Sequence, residues 1–149
     1  MAEQDYVDFW GKFHKKMESL NVDFKLYEFP SKSNSNFSAK VNDSSPGATG
    51  TPFIGVDLVN SKGFIRVNVY IPNDKDFYDS LFAEKNEIEN VFGNKLQWKR
   101  DCGKASRILV EIPGLNFKYR DNYDILMVKL IEIIKKFIIT FEKRIKNWI

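Results

Sequence analysis

The sequence is poor in the two side chains that most often hold metals or form nucleophile–base pairs. It has one cysteine, Cys102, and one histidine, His14. A lone cysteine excludes an intramolecular disulfide, which favours a reducing compartment and predicts a cytoplasmic protein. With one residue of each type, neither a zinc site nor a Cys-His pair has a full set of partners. We therefore predict no metal, no cofactor and no catalytic residue, and we expect His14 and Cys102 to be incidental.

Long apolar runs are also missing. The most apolar stretch, 125–139, is interrupted by Lys129, Glu132, Lys135 and Lys136. It is therefore shorter than the ~20 uninterrupted apolar residues that a membrane span requires. The chain begins Met-Ala-Glu-Gln-Asp-Tyr, without the basic and apolar regions of a secretory signal. We expect neither membrane association nor export.

Two catalytic patterns are absent as well. The glycines fit neither a phosphate-binding loop nor the dinucleotide fingerprint. A nuclease of the restriction-endonuclease class needs a carboxylate on one strand and an Asp/Glu-x-Lys pair on the next, which together hold Mg²⁺. Asp57 and Glu111 are the strand carboxylates that come nearest to this pattern, but Pro113 occupies the lysine position after Glu111. We interpret both acids as solvated residues on a sheet face.

What is present is enough for one folded core. The chain has 149 residues, of which 43% are hydrophobic and 15% aromatic, and this length and composition predict a single domain over 1–149. Residues 30–52 are rich in Ser, Gly, Asn and Pro, which predicts a flexible loop with only a weak strand near 37–41.

Hydrophobic periodicity predicts the order α-(β)-ββ-α-ββ-α. The predicted elements are a helix from Tyr6 to about Asn21, a hairpin of 53–60 and 63–71, a helix from Asp74 to Phe92, strands 96–100 and 107–112, and a helix from its cap Asp121 almost to Ile149. This is an α+β fold, with an antiparallel sheet of four to five strands and three helices. We expect the helices to cover one face of the sheet and the other face to be wet.

Several segments resemble a known domain family. They are Arg66–Ile71, Asp74-Lys75, Leu81-Phe82, 85–89, Phe92-Gly93, Leu96–Trp98, Lys104–Ile108 and 141–145. Together they resemble an uncharacterised bacterial and archaeal family, the domain of unknown function numbered 4268, from about Phe9 to the end of the chain. That family is commonly attached behind a restriction-endonuclease-like nuclease domain. The resemblance implies an association with DNA-processing systems and assigns no activity to any residue.

The chain departs from that family pattern in three respects. We expect it to stand alone, without a nuclease half. It has Asn68 where an acidic residue is expected, and the Ser/Gly/Asn-rich loop lies where a Trp-containing strand is typical.

The strand alternation places a mixed set of polar side chains on the wet face. If Val67, Trp98 and Ile108 point inward, then basic, amide and aromatic side chains point outward. Such a mixture is typical of sheet faces that bind nucleic acid, where cations contact phosphates and aromatics stack on bases. The candidate nucleic-acid-binding residues are Arg66, Tyr70, Lys99, Arg100, Lys104 and Arg107. Alternatively, these charges form ordinary cross-strand pairs that stabilise the sheet.

The last predicted helix is the second candidate surface. Residues 93–149 carry thirteen Lys/Arg against six Asp/Glu, and residues 1–92 carry ten against fourteen. This asymmetry is compatible with an anionic partner such as DNA or RNA, or with the solvated face of a long helix. The wide apolar arc of that helix packs either on the rest of the fold or on a protein partner, namely a separately encoded nuclease or a second copy of the chain. Our first hypothesis is a non-catalytic nucleic-acid-binding module; the alternative is a pure interaction or dimerisation module.

Overall fold

The computed structural model describes residues 2–22, 24, 26–28, 37–39 and 52–148. In this part of the chain the elements are α1 (Ala2–Ser19), β1 (Leu26–Glu28), β2 (Phe37–Ala39), β3 (Phe53–Val59), a 3-10 turn (Asn60–Lys62), β4 (Phe64–Ile71), α2 (Lys75–Phe82), α3 (Lys85–Phe92), β5 (Gln97–Cys102), β6 (Ala105–Pro113) and α4 (Tyr123–Trp148). The predicted α+β class is confirmed. Apart from 37–39 and Pro52, the predicted flexible loop at 30–52 lies outside the described residues.

The strands form one antiparallel sheet in the order β1-β2-β3-β4-β6-β5. The described residues hold six strands where four to five were predicted. The weak strand near residue 37 is β2, whereas β1 was not predicted, because three residues are too few to give a periodic signal. Among the described strands, β5 pairs with β6 alone and lies at one end of the strand order.

Strand alternation builds the core as predicted. In β4, Ile65, Val67, Val69 and Ile71 are fully buried on the face that carries the helices. Their neighbours in the sequence point to the opposite side of the sheet, because successive strand residues alternate. Gly63 closes the β3–β4 hairpin with a φ of 72°, a conformation that residues with a Cβ rarely adopt.

The single helix predicted over 74–92 is wrong: the structure has two helices, α2 and α3. Residues 83–84 form a turn between them, in which the Glu84 amide donates to the Leu81 carbonyl. No Gly or Pro marks the break, and Leu81 and Ile88 remain seven residues apart on a buried side. The carboxylate of Glu84 accepts a hydrogen bond from Arg144 of α4 over 2.7 Å. The turn therefore makes a tertiary contact with α4.

Helices α1 and α4 pack together on the inner side of the sheet. Phe9 of α1 meets the ring of Tyr123 edge to face, with centroids 5.2 Å apart. Arg120, just before α4, donates to Asp5 over 2.7 Å and to Asp8 over 3.1 Å, and so fastens the start of α1. The α4 helix begins at Tyr123, two residues after the predicted cap Asp121. Within the described residues, no helix is long and apolar enough to span a membrane.

Candidate nucleic-acid interface

The strand register arranges the outer face, meaning the side of the sheet turned away from the helices, in three rows of residues. The rows are Phe53–Tyr70–Arg107–Lys99, Gly55–Asn68–Leu109–Gln97 and Asp57–Arg66–Glu111. The outer face was predicted to be exposed to solvent. This prediction is wrong at the centre of the face, where Asn68 and Leu109 are buried. The long side chains of Arg66 and Arg107 both reach across the sheet to Asp57 instead of extending into solvent.

Asp57 neutralises part of the positive charge predicted for this face. Its Oδ2 accepts from Nε of Arg66 over 2.8 Å and from a terminal nitrogen of Arg107 over 3.3 Å. The carboxylate side chain is only 10% exposed, and the two arginine side chains are 25% exposed. Burying a carboxylate without positively charged partners costs free energy. The two arginines therefore stabilise Asp57 in its buried position. Two of the five candidate cations, Arg66 and Arg107, therefore compensate the charge of this buried carboxylate.

Arg107 also makes a cation–π contact. Its guanidinium carbon lies 5.1 Å from the centroid of the Tyr70 ring, and Phe53 packs against the same ring at 5.5 Å. One face of Tyr70, predicted to be a stacking platform for a base, is thus already covered by a guanidinium. Guanidinium planes themselves stack on aromatic rings and on bases.

The β5–β6 hairpin is fastened to the fold from α2. Nζ of Lys75 donates to the Ala105 carbonyl over 2.7 Å, and to the Arg100 carbonyl as well. Ser106 Oγ donates to that same Arg100 carbonyl over 2.6 Å. Gly103 turns the chain with a φ of 68°. These bonds hold the backbone that carries Lys99 and Lys104 in one conformation.

Arg100, the third arginine of the candidate set, is bound to a neighbouring helix. It donates to both carboxylate oxygens of Asp79 in α2, over 2.8 and 3.1 Å. The paired hydrogen bonds from Arg100 lower the pKa of Asp79, and the hydrogen bonds from Asp79 raise the pKa of Arg100. Both side chains are about half exposed, so the pair remains on the surface.

Lys99 and Lys104 differ from the arginines. Both are exposed, and neither forms an ion pair with any acid in the described part of the chain. Lys99 sits beside Arg107 in the register of β5 and β6. We call Lys99, Lys104, Tyr70 and Arg107 the hairpin surface.

The sequence analysis missed the residues that organise this surface. Asp57 of β3 was interpreted from the sequence as solvated, and this is wrong, because it is buried and binds Arg66 and Arg107. Lys75 and Asp79 of α2 bind the Arg100 carbonyl and the Arg100 side chain. The Asp57–Arg66 pair had a signal in the sequence, because the two residues face each other if the hairpin turns at 60–63. No pattern in the sequence predicts the contacts of Lys75 and Asp79.

The geometry does not favour a metal-dependent nuclease centred on Asp57 and Glu111. Arg66 lies between them in the register and donates to Asp57, so a cationic side chain occupies the place between the two acids. Within the described residues, no group of three or more His, Cys, Asp or Glu side chains is arranged to hold a metal ion. His14 lies on the exposed side of α1, and Cys102 is half-buried at the hairpin turn.

Comparison with known protein families shows which family the chain belongs to. Residues 6–145 match the family described as a domain of unknown function, DUF4268. The match covers nearly the whole chain, and the chain belongs to this family. No curated protein and no solved structure gives a significant match.

Proposed function

We propose that this chain is a non-catalytic accessory module of a DNA-processing or restriction system and that it binds nucleic acid through the hairpin surface. In this proposal Lys99 and Lys104 contact phosphates. The observation that carries it is that two exposed lysines have no acidic partner among the described residues and lie on a hairpin whose backbone is bound by Lys75 of α2. Cations without partners gain most from a phosphate, because they give up no existing ion pair.

The stack of Arg107 on Tyr70 supports a contact with bases. A guanidinium that lies over an aromatic ring can also contact a base, and single-stranded nucleic acid exposes its bases for such contacts. Arg66 and Arg100 take a supporting role, since Asp57 and Asp79 already bind them. The proposal thus narrows the six candidate residues to four.

The biological setting rests on the family and on the composition. The resemblance implies an association with restriction-endonuclease-like nucleases, and membership of the family is consistent with it. The lone cysteine favours the reducing cytoplasm as the site of action. A partner nuclease encoded separately, or a second copy of the chain, is compatible with this setting.

Fluorescence anisotropy tests the proposal directly. Labelled single-stranded DNA, double-stranded DNA and single-stranded RNA are titrated with the protein at about 50 and 200 mM salt, a range over which phosphate contacts weaken strongly. We expect saturable binding that weakens steeply at the higher salt concentration. Absence of binding to all three probes at the lower concentration would overturn the proposal and favour the alternative of a pure protein-interaction module.

A further inference from the structure

The row Phe53–Tyr70–Arg107–Lys99 crosses the outer face from two aromatic rings to two cations. Its members belong to β3, β4, β6 and β5 in that order. Neighbouring strands lie about 4.8 Å apart, so the row extends over roughly 14 Å. The first three side chains are half-buried and Lys99 is exposed, so each of the four reaches the surface. Phe53 is the one member that was not among the candidate residues.

Tyr70, the predicted stacking platform, has a neighbour on each side in this row. The Arg107 guanidinium carbon lies 5.1 Å from the centroid of its ring. The Phe53 ring packs on it from β3, with centroids 5.5 Å apart and planes inclined by 47°. These two contacts already use much of the Tyr70 ring. Phe53, which follows Tyr70 in the row, is the better placed of the two rings to meet a ligand.

The ring of Phe53 leans along β3 over Gly55. A Cβ placed on Gly55 would lie 3.2 Å from Cε2 and 3.7 Å from Cδ2 of that ring. The shorter distance is tighter than an ordinary carbon–carbon contact. Glycine inside a strand weakens the strand and often marks a place where another group approaches the backbone closely. The absence of a side chain at Gly55 thus lets the Phe53 ring lie close to the sheet.

Asn68 fixes the backbone beneath this ring. It lies opposite Gly55 in the register and is only 2% exposed. Its Nδ2 donates to the Gly55 carbonyl over 3.1 Å. The position of the ring is therefore set in advance by the strand and its neighbour, and a group ordered before binding loses less conformational freedom when a ligand arrives.

We propose that Phe53 is a base-stacking residue and that the ligand of the outer face is single-stranded nucleic acid lying across the strands, along the row from Phe53 to Lys99. This inference rests on the proposed function and adds a residue and a substrate class to it. One base stacks on Phe53, a neighbouring base contacts Arg107, and Lys99 binds phosphate. Four-stranded sheets that bind single-stranded RNA use aromatic side chains in this way and stack about two or three bases.

A duplex would make less use of this row. Its bases are stacked on one another inside the helix, so a ring on a sheet face would meet sugar and phosphate instead of a base. A duplex would therefore gain from the two lysines of the hairpin surface alone. A single strand would gain from the same lysines and from Phe53 as well.

Fluorescence anisotropy with three labelled probes of equal length separates the stacking contact from the phosphate contacts. The probes are a thymidine oligonucleotide, an oligonucleotide of abasic sites, which keeps the phosphates and lacks the bases, and a duplex. Phe53→Leu removes the ring and keeps an apolar side chain. We expect it to weaken binding of the thymidine probe about fivefold or more, the lower end for one stacked base, and to change binding of the other two less than about twofold.

Three further variants control this result. Phe53→Trp keeps an aromatic surface and should retain the affinity for the thymidine probe. Phe82→Leu is the matched control, because Phe82 is also exposed, at 48%, but belongs to α2 on the helix-covered side of the sheet. Gly55→Val places carbon atoms where the Phe53 ring lies, so it should weaken binding of the thymidine probe while every cation is kept. Circular dichroism and urea denaturation verify that each variant is folded.

The outcomes distinguish this inference from the proposed function. If the wild type binds none of the probes, both are overturned. If the wild type binds in a salt-dependent manner that Lys99→Ala/Lys104→Ala weakens, and Phe53→Leu has no greater effect than Phe82→Leu, only the stacking role is overturned. Phe53 would then serve as a cross-strand packing partner of Tyr70. Equal losses on the thymidine and abasic probes would also contradict stacking, because the abasic probe has no base to lose.

Discussion

Trp148 donates its indole N–H to the carboxylate of Asp74 over 2.8 Å. The other oxygen of Asp74 accepts from the backbone amide of Phe77 over 3.0 Å, so this one carboxylate caps α2 and also binds the end of α4. The Trp148 ring packs against Phe77, with centroids 5.1 Å apart. The last turn of α4 thus binds to the start of α2, the helix that contacts the β5–β6 hairpin through Lys75.

A double-mutant cycle measures this link. Trp148→Phe keeps a ring against Phe77 and removes the indole donor, so we expect the free energy of unfolding to fall by about 0.5–1 kcal/mol. Asp74→Ala removes the cap and the acceptor together, and should cost about 1–2 kcal/mol. Urea denaturation provides both values. In the Asp74→Ala background, Trp148→Phe should cost clearly less; a cost equal to that in the wild type would show that the hydrogen bond contributes nothing.

Glu89 gives the stability of the protein a defined dependence on pH. Its Oε2 accepts from the Leu96 amide over 2.8 Å and from the Trp98 indole over 3.1 Å. The hydrogen bond from the Leu96 amide, opposed by desolvation and helped by that from Trp98, lowers the pKa of Glu89. Because the folded-state pKa is depressed, this stabilisation is fully present above the ordinary glutamate pKa and is lost as the pH falls through the lowered value.

Glu89→Gln is the variant that tests this dependence, because it keeps an acceptor oxygen and removes the charge. We expect it to lower the free energy of unfolding by about 1 kcal/mol at pH 7. The gap to the wild type should close as the pH is lowered through the acidic range. Denaturation at a series of pH values measures the gap, and a gap that stays constant into strong acid would contradict the assignment.

The sheet was predictable from the sequence because its signal is local. The alternation in 64–71 identifies the buried side of β4, and Gly103 marks a turn between β5 and β6. The break at 83–84 was not predictable, since the apolar residues of α2 and α3 keep a helical spacing across it. The turn at the break contacts Arg144, sixty positions away, through Glu84.

The location of the candidate surface was predictable from the sequence. Which of its cations already form ion pairs was not. Alternation correctly places Arg66, Tyr70, Lys99 and Arg107 on the outer face. Which cations already have partners depends on tertiary contacts, such as that of Arg107 with Asp57, fifty positions apart. Periodicity carries no information on such pairs.

Arg107→Lys separates the stacking role of this side chain from its charge. Lysine keeps a cation near Asp57 but lacks the plane that stacks on Tyr70. We expect the affinity for single-stranded DNA to fall about threefold to tenfold, which corresponds to part of one base-stacking contact, while double-stranded DNA is affected less. Anisotropy titrations with both probes measure the two changes. Equal losses on both would indicate that Arg107 acts only as a charge.

The most direct measurement compares two double variants in the DNA titration at about 50 mM salt. Lys99→Ala/Lys104→Ala removes the two lysines of the hairpin surface, which have no acidic partner within the described residues. Lys62→Ala/Lys118→Ala removes the same charge from two exposed lysines at the opposite end of the sheet. We predict that the first variant weakens binding about tenfold or more and reduces the steepness of the salt dependence by about two contacts, while the second changes affinity less than about threefold. Equal affinities for the two variants would contradict the hairpin surface as the binding site.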